Sequence, residues 1–375
     1  MKTIAILSTL LFVAPLIAIE PETIIVAPLC APTAAWNQSG KLNEMVKGFC
    51  GCDPLAWGQV VTYHALTTND PPADWQPTPV TDFVQFPNHR TEMRTTTSED
   101  YNWENVRDQK GDDAARLMWD LGILGHTLYT DVGSSGTVGN TRIADYFGYK
   151  GKGWTYTLPF YWKDNTTRQV EETWPDIAER LVRCSLHAKA PMVMIVIPKN
   201  GGIHAIVCDG YGYAKDGTLL LHFHDGWGPT SATWRPFSFL LSEGNPTQQQ
   251  EGFNVLYANV HPNDLGCIVA GRITRDGNPL PNVTVTLSTG QSTTTDATGS
   301  YCFTGLQPET DYTLTATDAA CALNIVKPFK TGRFIDDALR NKAQDESKDK
   351  HIFLETGNIL LDFPLTNHST KHPNN

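Results

Sequence analysis

Lys47-Gly48-Phe49-Cys50-Gly51-Cys52-Asp53-Pro54-Leu55-Ala56-Trp57 sets a cysteine at the point where a helix begins. Aspartate suits an N-cap, and proline is accepted at the first helical position because its missing N–H would lack a partner there anyway. Trp57, Val60, Val61 and His64 then recur at helical spacing. The unpaired N–H groups and dipole of a helix start stabilise an anion, so a thiol placed there ionises more readily. Asp53 is expected to work against this, since a neighbouring carboxylate raises a thiol pKa. Cys52 is the preferred nucleophile and Cys50 the alternative.

Downstream segments supply a partner for such a thiol. Gly201-Gly202-Ile203-His204-Ala205-Ile206-Val207 sets one histidine between small residues at the start of a strand, and a later strand carries His224-Asp225-Gly226-Trp227-Gly228. A nucleophile on a helix, a base on a strand and a polar orienter on the next strand follow the logic of papain-type catalysis. The surrounding elements fit. Residues 112–122 and Trp174–His187 read as helices. Met192–Ile197, residues 203–209 and residues 218–224 read as strands, with Lys215-Asp216-Gly217 as a hairpin turn. Helices first and strands later, joined by hairpins, argue an α+β fold.

Longer blocks carry a family resemblance. They are Trp36-Asn37-Gln38 with Asn43, Gly51-Cys52-Asp53-Pro54-Leu55-Ala56-Trp57-Gly58-Gln59 with Tyr63-His64, and Tyr101-Asn102-Trp103. Leu117-Met118-Trp119-Asp120-Leu121-Gly122, Ser134-Ser135-Gly136 and Asp145-Tyr146-Phe147-Gly148-Tyr149 follow, and then Gly202-Ile203-His204-Ala205-Ile206-Val207-Cys208-Asp209-Gly210-Tyr211. In this order they resemble the streptopain family of secreted papain-like cysteine peptidases. The resemblance implies Cys52 as nucleophile and His204 as general base. It implies Gln38 as an oxyanion-hole side chain beside the Cys52 N–H, and a substrate cleft lined by Ser134, Ser135, Gly136 and Trp227. In register with the family's N-W-G-W-G, His224 takes the Asn position; aligned to the general papain N-S-W-G, Asp225 does. Asp225 is preferred, because a carboxylate can fix the imidazole tautomer as an amide does and also favours the imidazolium. The implied function is an exported cysteine endopeptidase acting on proteins or peptides. The alternatives are an inactive papain-like binding protein, and a thiol acyltransferase or deamidase. The resemblance also implies a long inhibitory propeptide, which residues 19–35 are too few to form.

A composition shift near His261-Pro262-Asn263-Asp264 places a domain boundary at about residue 264. Beyond it, residues 268–274, 283–288, 300–303 and 312–316 alternate at period two, punctuated by Asp276-Gly277-Asn278-Pro279 and by turn residues 296–299. Short strands at such spacing predict a small β-sandwich over 265–366, with a frayed tail at 367–375. Residues 331–350 read as a charged loop or short helix, and 359–364 as a closing strand. Gly271-Arg272-Ile273-Thr274, residues 277–285 and residues 295–301 resemble the carboxypeptidase regulatory-like fold, which implies a spacer or ligand-binding module without chemistry of its own.

The chain of 375 residues carries 29 Lys+Arg against 40 Asp+Glu, a net charge of −11 that argues against nucleic-acid binding. Met1-Lys2 and the apolar run 4–19 read as a secretory signal peptide over 1–18, too short and Pro-interrupted to span a membrane. The expectation is therefore a secreted or periplasmic protein with no membrane insertion after cleavage. An exported chain could pair some of its 8 cysteines. With one of them a working thiol, an odd number remains. Cys50-Gly51-Cys52 is poor zinc spacing and there is no C-x-x-C, so neither a metal nor a cofactor is expected.

Overall fold

The computed structural model describes residues 19–46, 48–68, 71, 75, 77–86, 90–97, 99–130, 133–136, 139–157, 174–197, 203–238, 252–319, 323–332 and 357–366. The signal-peptide segment, most of the charged stretch 331–350, and the tail at 367–375 lie outside them, as does Cys321. No described helix is long and apolar enough to cross a membrane. The chain divides into two compact units, one drawn from the described residues of Met1–Lys163 and Pro191–Pro262, the other from those of Asp164–Ala190 and Asn263–Asn375. The expected α+β organisation with a C-terminal all-β region is present.

In the first unit, strand β1 (Thr23–Val26) is followed by helix α1 (Cys52–Thr68) and the hairpin β2 (Thr81–Phe86) and β3 (Arg90–Thr95). Next come α2 (Trp103–Asp108), α3 (Asp113–Leu124), β4 (Leu128–Thr130), β5 (Gly133–Ser135), α4 (Asn140–Phe147) and β6 (Gly151–Thr157). The unit closes with β7 (Met192–Ile197), β8 (His204–Tyr213), β9 (Leu219–His224), β10 (Ala232–Pro236) and β11 (Gly252–His261). The main sheet runs β10-β9-β8-β7-β11-β6, and β1 pairs antiparallel with the far end of β8, Thr23 opposite Tyr213. Part of segment 19–35 is thus built into the sheet. A smaller sheet runs β3-β2-β4-β5.

Helix α1 packs against β8 and α3 and is buried nearly all round, from Pro54 and Leu55 through Trp57, Val60 and Val61 to Ala65. That is why its apolar residues do not form a one-sided stripe. It starts two residues earlier than expected. Cys52 is its first residue, the Leu55 N–H bonds the Gly51 carbonyl, and Asp53 sits inside the first turn rather than at the cap. Pro54 is accepted because none of the first four N–H groups has an intrahelical acceptor. Asp120 on α3 ties distant segments together. Its carboxylate accepts the hydroxyls of Tyr101 (2.5 Å) and Tyr146 (3.1 Å), together with the Thr97 N–H and hydroxyl.

The second unit opens with α5 (Trp174–His187) and then β12 (Cys267–Arg275), β13 (Asn278–Pro279), β14 (Thr284–Leu287) and β15 (Ser292–Thr294). It continues through β16 (Ser300–Leu306), β17 (Asp311–Asp318), β18 (Leu323–Lys330), β19 (Ile359–Leu360) and β20 (Phe363–Leu365). One sheet is β13-β12-β16, with β19 and β20 parallel to β12; the other is β15-β14-β17-β18. Val269, Val285, Tyr301, Phe303, Leu314 and Ala316 belong to the core of this unit. The opposite face of β12, Ile268 and Ala270, is covered by α5 through Cys184. Helix α5 thus packs within the second unit, although it lies upstream of the boundary expected near 264. Arg183 fastens it, reaching Glu179 at 2.8 Å and Asp362 at 2.7 Å.

Candidate active site

Two cysteines two residues apart have opposite surroundings. Cys50 is fully buried, and burial followed by the nearby Cys52 charge pushes its thiol far up. Cys52 is half-buried, at the first position of α1. Burial disfavours its thiolate, but the hydrogen bond and charge of His204 outweigh this, helped by backbone contacts from Ala205 and Asp53. The thiol is held below its usual range, so the expected opposition from Asp53 does not prevail; the backbone of Asp53 favours the thiolate. Gly51 makes the approach at φ +104°, with so little room that an added Cβ would lie 2.5 Å from Ser134 Oγ.

His204 is the first residue of β8. Burial opposes its charge, but the hydrogen bond to Cys52, the thiolate, and then Asp225 together raise its pKa. The ring Nε2 lies 2.8 Å from the Asp225 backbone carbonyl. The expected carboxylate contact is not made: that carboxylate pairs with Arg235 on β10. His224, the other candidate orienter, points away into the sheet, its Nε2 3.0 Å from Asp209. The imidazole is thus oriented by main chain, a group that every residue carries.

Trp227 lies nearly parallel to the His204 ring (centroids 6.1 Å, 13°) and takes Phe49 edge-on (6.0 Å, 77°). It remains 47% exposed. The loop holding it is pinned to the Trp36–Gln38 segment: Gly228 N–H bonds the Trp36 carbonyl (2.9 Å), and Gln38 N–H the Gly226 carbonyl (3.3 Å). Gln38 in turn accepts the Cys50 N–H at 3.0 Å. Gln38 is buried, and its side-chain Nε2 has no hydrogen-bond partner among the described residues. A buried amide donor without an acceptor is costly unless something else completes it.

Of the expected cleft residues, Ser134 abuts Gly51. Ser135 lies in β5 opposite Leu128, its side chain outside the described residues. Gly136 packs against Gly125 and Thr127 instead. The sequence reading did not identify Phe49 or Arg235; Arg235 lies ten residues beyond Asp225 with no motif to flag it. It also did not identify a buried group of Asp209, His222 and His224, whose potential metal-ligand atoms lie within 4.8 Å of one another. The seven described cysteines are all free thiols.

A family model described as "Peptidase C10 family" matches residues 33–234. One described as "Carboxypeptidase regulatory-like domain" matches residues 268–327. No curated protein matches. Among solved structures, "The Bacillus anthracis TIE protein" aligns at 14% identity with a TM-score of 0.16, over 47% of this chain and 30% of that one.

Proposed function

The chain belongs to the peptidase C10 family, a family of cysteine peptidases, and from that premise we propose that it is an exported cysteine endopeptidase. The observation carrying the proposal is the placement of Cys52 at the first position of α1, which packs on the strand β8 that opens with His204, the His204 Nε2 lying 2.8 Å from the Asp225 carbonyl; there the thiol is lowered and the imidazole raised. Opposite shifts within one contact favour a thiolate–imidazolium pair.

In this reading the Cys52 thiolate attacks the scissile carbonyl carbon, forming a C–S bond while the carbonyl electron pair moves onto oxygen. The oxyanion is met by the Cys52 N–H, which has no intrahelical acceptor at the helix start, and by the Gln38 Nε2, unpartnered among the described residues. The oxyanion then collapses, the C–N bond breaks, and His204 protonates the departing amine. Water, losing a proton to neutral His204, hydrolyses the thioester and regenerates the pair. The Asp225 carbonyl holds the ring through Nε2, leaving Nδ1 for the sulfur. Trp227 beside the ring limits access of water to that bond, and Ser134 and Trp227 border the cleft for a protein or peptide substrate. Export rests on the reading of residues 1–18.

The test is labelling of the purified protein with an epoxide thiol probe, located by mass spectrometry, alongside product analysis on a peptide library. Label on Cys52 with new peptide termini is the expected result. Cys52→Ala should abolish both while circular dichroism is unchanged, and Cys50→Ala should not. Label on Cys52 with glutamine deamidation or transfer products would replace the peptidase reading. No label and no products would leave a binding protein.

A further inference from the structure

Behind the candidate site, β8 and β9 are joined by side chains as well as by backbone pairing. Asp209 of β8 is fully buried. Its Oδ1 meets His222 Nδ1 at 2.7 Å, and its Oδ2 meets both His224 Nε2 at 3.0 Å and the Cys30 N–H at 2.7 Å. An ionised carboxylate only accepts hydrogen bonds, so both facing ring nitrogens carry protons. His222 is held from its other side by the Trp234 ring (centroids 5.0 Å). His224 is the chain neighbour of Asp225, whose carbonyl takes His204 Nε2. His204 and Asp209 share one strand. The contacts close a ring: His204 to the Asp225 carbonyl, along the chain to His224, across to Asp209, and back along β8.

We infer that Asp209 and His224 are positioning residues, clamping β9 to β8 so that the Asp225 carbonyl stays against His204 and the imidazole stays against Cys52. The effect on peptide hydrolysis rests on the proposed function; the effect on the Cys52–His204 pair does not. An orienter built from main chain has no rotamer of its own, so its placement depends on what anchors the strand end. The Asp225 side chain is engaged by Arg235, and the nearest buried anchor on β9 is His224.

The experiment measures alkylation of Cys52 by iodoacetamide at about pH 6, where an ordinary cysteine is almost wholly thiol, located by mass spectrometry. Wild type is compared with His224→Val, which keeps a strand-forming shape and removes the donor, and with His224→Gln, whose Nε2 reaches about as far as the imidazole Nε2. Valine should slow alkylation about tenfold or more, since misplacement on the scale of 1 Å costs about that or more. Glutamine should restore most of the rate. Circular dichroism and melting of each variant separate loosened geometry from unfolding. If valine removes the fold, glutamine decides: a folded glutamine variant alkylated at near the wild-type rate supports the clamp, and a slow one overturns it. Equal rates in folded wild type and folded His224→Val also overturn it. So does stoichiometric zinc in the purified protein that His224→Val abolishes, because the three side chains would then be ligands. Peptide hydrolysis is read separately. Fast wild-type alkylation without hydrolysis refutes the peptidase reading and leaves the clamp standing.

Discussion

The two units bury polar groups in different places: the second holds Arg183, His187 and Asn358 outside its sandwich core. The core of the second is apolar and regular: along β17, Tyr312, Leu314 and Ala316 turn inward while Thr313 and Thr315 lie nearer the surface. The first unit buries polar groups at its centre, with Gln59, Thr62 and His64 on α1, Gln38 beside it, and Asp209, His222 and His224 within the sheet. An apolar core needs shape and volume only, whereas each buried polar group needs a particular partner at a particular distance. The difference implies a division of labour. Changes in the first unit should alter chemistry while the fold survives, and changes in the second should alter stability while chemistry survives.

The largest expected effect inside the first unit, apart from loss of the nucleophile, is at Gln38. Gln38→Ala should lower kcat for a small peptide by about 10²–10³, the cost of removing one oxyanion-hole donor. Active-site labelling of Cys52, which needs no oxyanion donor, should change far less. Equal losses in both assays would mean that Gln38 supports the fold rather than the reaction.

In the second unit, Leu314→Ala should cost about 2–5 kcal/mol of that unit's stability through the cavity it leaves. Activity per folded molecule should be unchanged. A fall in kcat without a change in melting would break the division of labour. Truncation before β12 is a blunter tool, because it would strip α5 of the strands it packs on.

Acid separates the units residue by residue. Burial, with Arg183 and Lys189 nearby, lowers His187 of the second unit to about 3, against an unfolded value of about 6.5. The unfolded chain therefore takes the proton first. The stability linked to His187 is complete above about pH 6.5 and is lost as pH falls toward 3. Burial also holds His64 of the first unit far below its usual value, so that unit weakens from the same starting point. His187→Leu should flatten the pH dependence of hydrogen exchange in the second unit and leave that of the first as it was. Asp209 acts lower: its pKa of about 2 lies beneath the unfolded value near 3.9, so its contribution is lost only as pH falls through that interval.

The smallest effect is expected at Asp225. Asp225→Asn keeps the backbone carbonyl that His204 contacts, so the rate should stay within about threefold of wild type. The loss should appear as about 1 kcal/mol of stability, because the charge-assisted hydrogen bond between the Asp225 carboxylate and Arg235 is replaced by one to a neutral amide. A collapse of kcat with the fold intact would show that the side chain does reach His204 during turnover.

What was legible in the sequence was local. The period-two runs of the second unit predicted its principal strands, because each strand's own residues record which face is buried. The helix start, placed two residues late at Pro54, the strand expected from residue 203 and found from His204, and the turn at Lys215-Asp216-Gly217 were legible for the same reason. In the turn, Gly217 takes φ +85° and bonds back to the Ala214 carbonyl at 2.9 Å.

Three features were settled by tertiary structure alone. Sequence names residues, not atoms, so it could not tell that His204 would meet the Asp225 carbonyl while Arg235, from the next strand, took the carboxylate. It could not aim His224, whose direction follows from the β8–β9 register and from Asp209 fifteen residues away. Nor could it assign α5, whose apolar stripe needs a sheet to cover but does not say which one. The face it covers on β12 lies some 80 residues further on, and only folding brings them together.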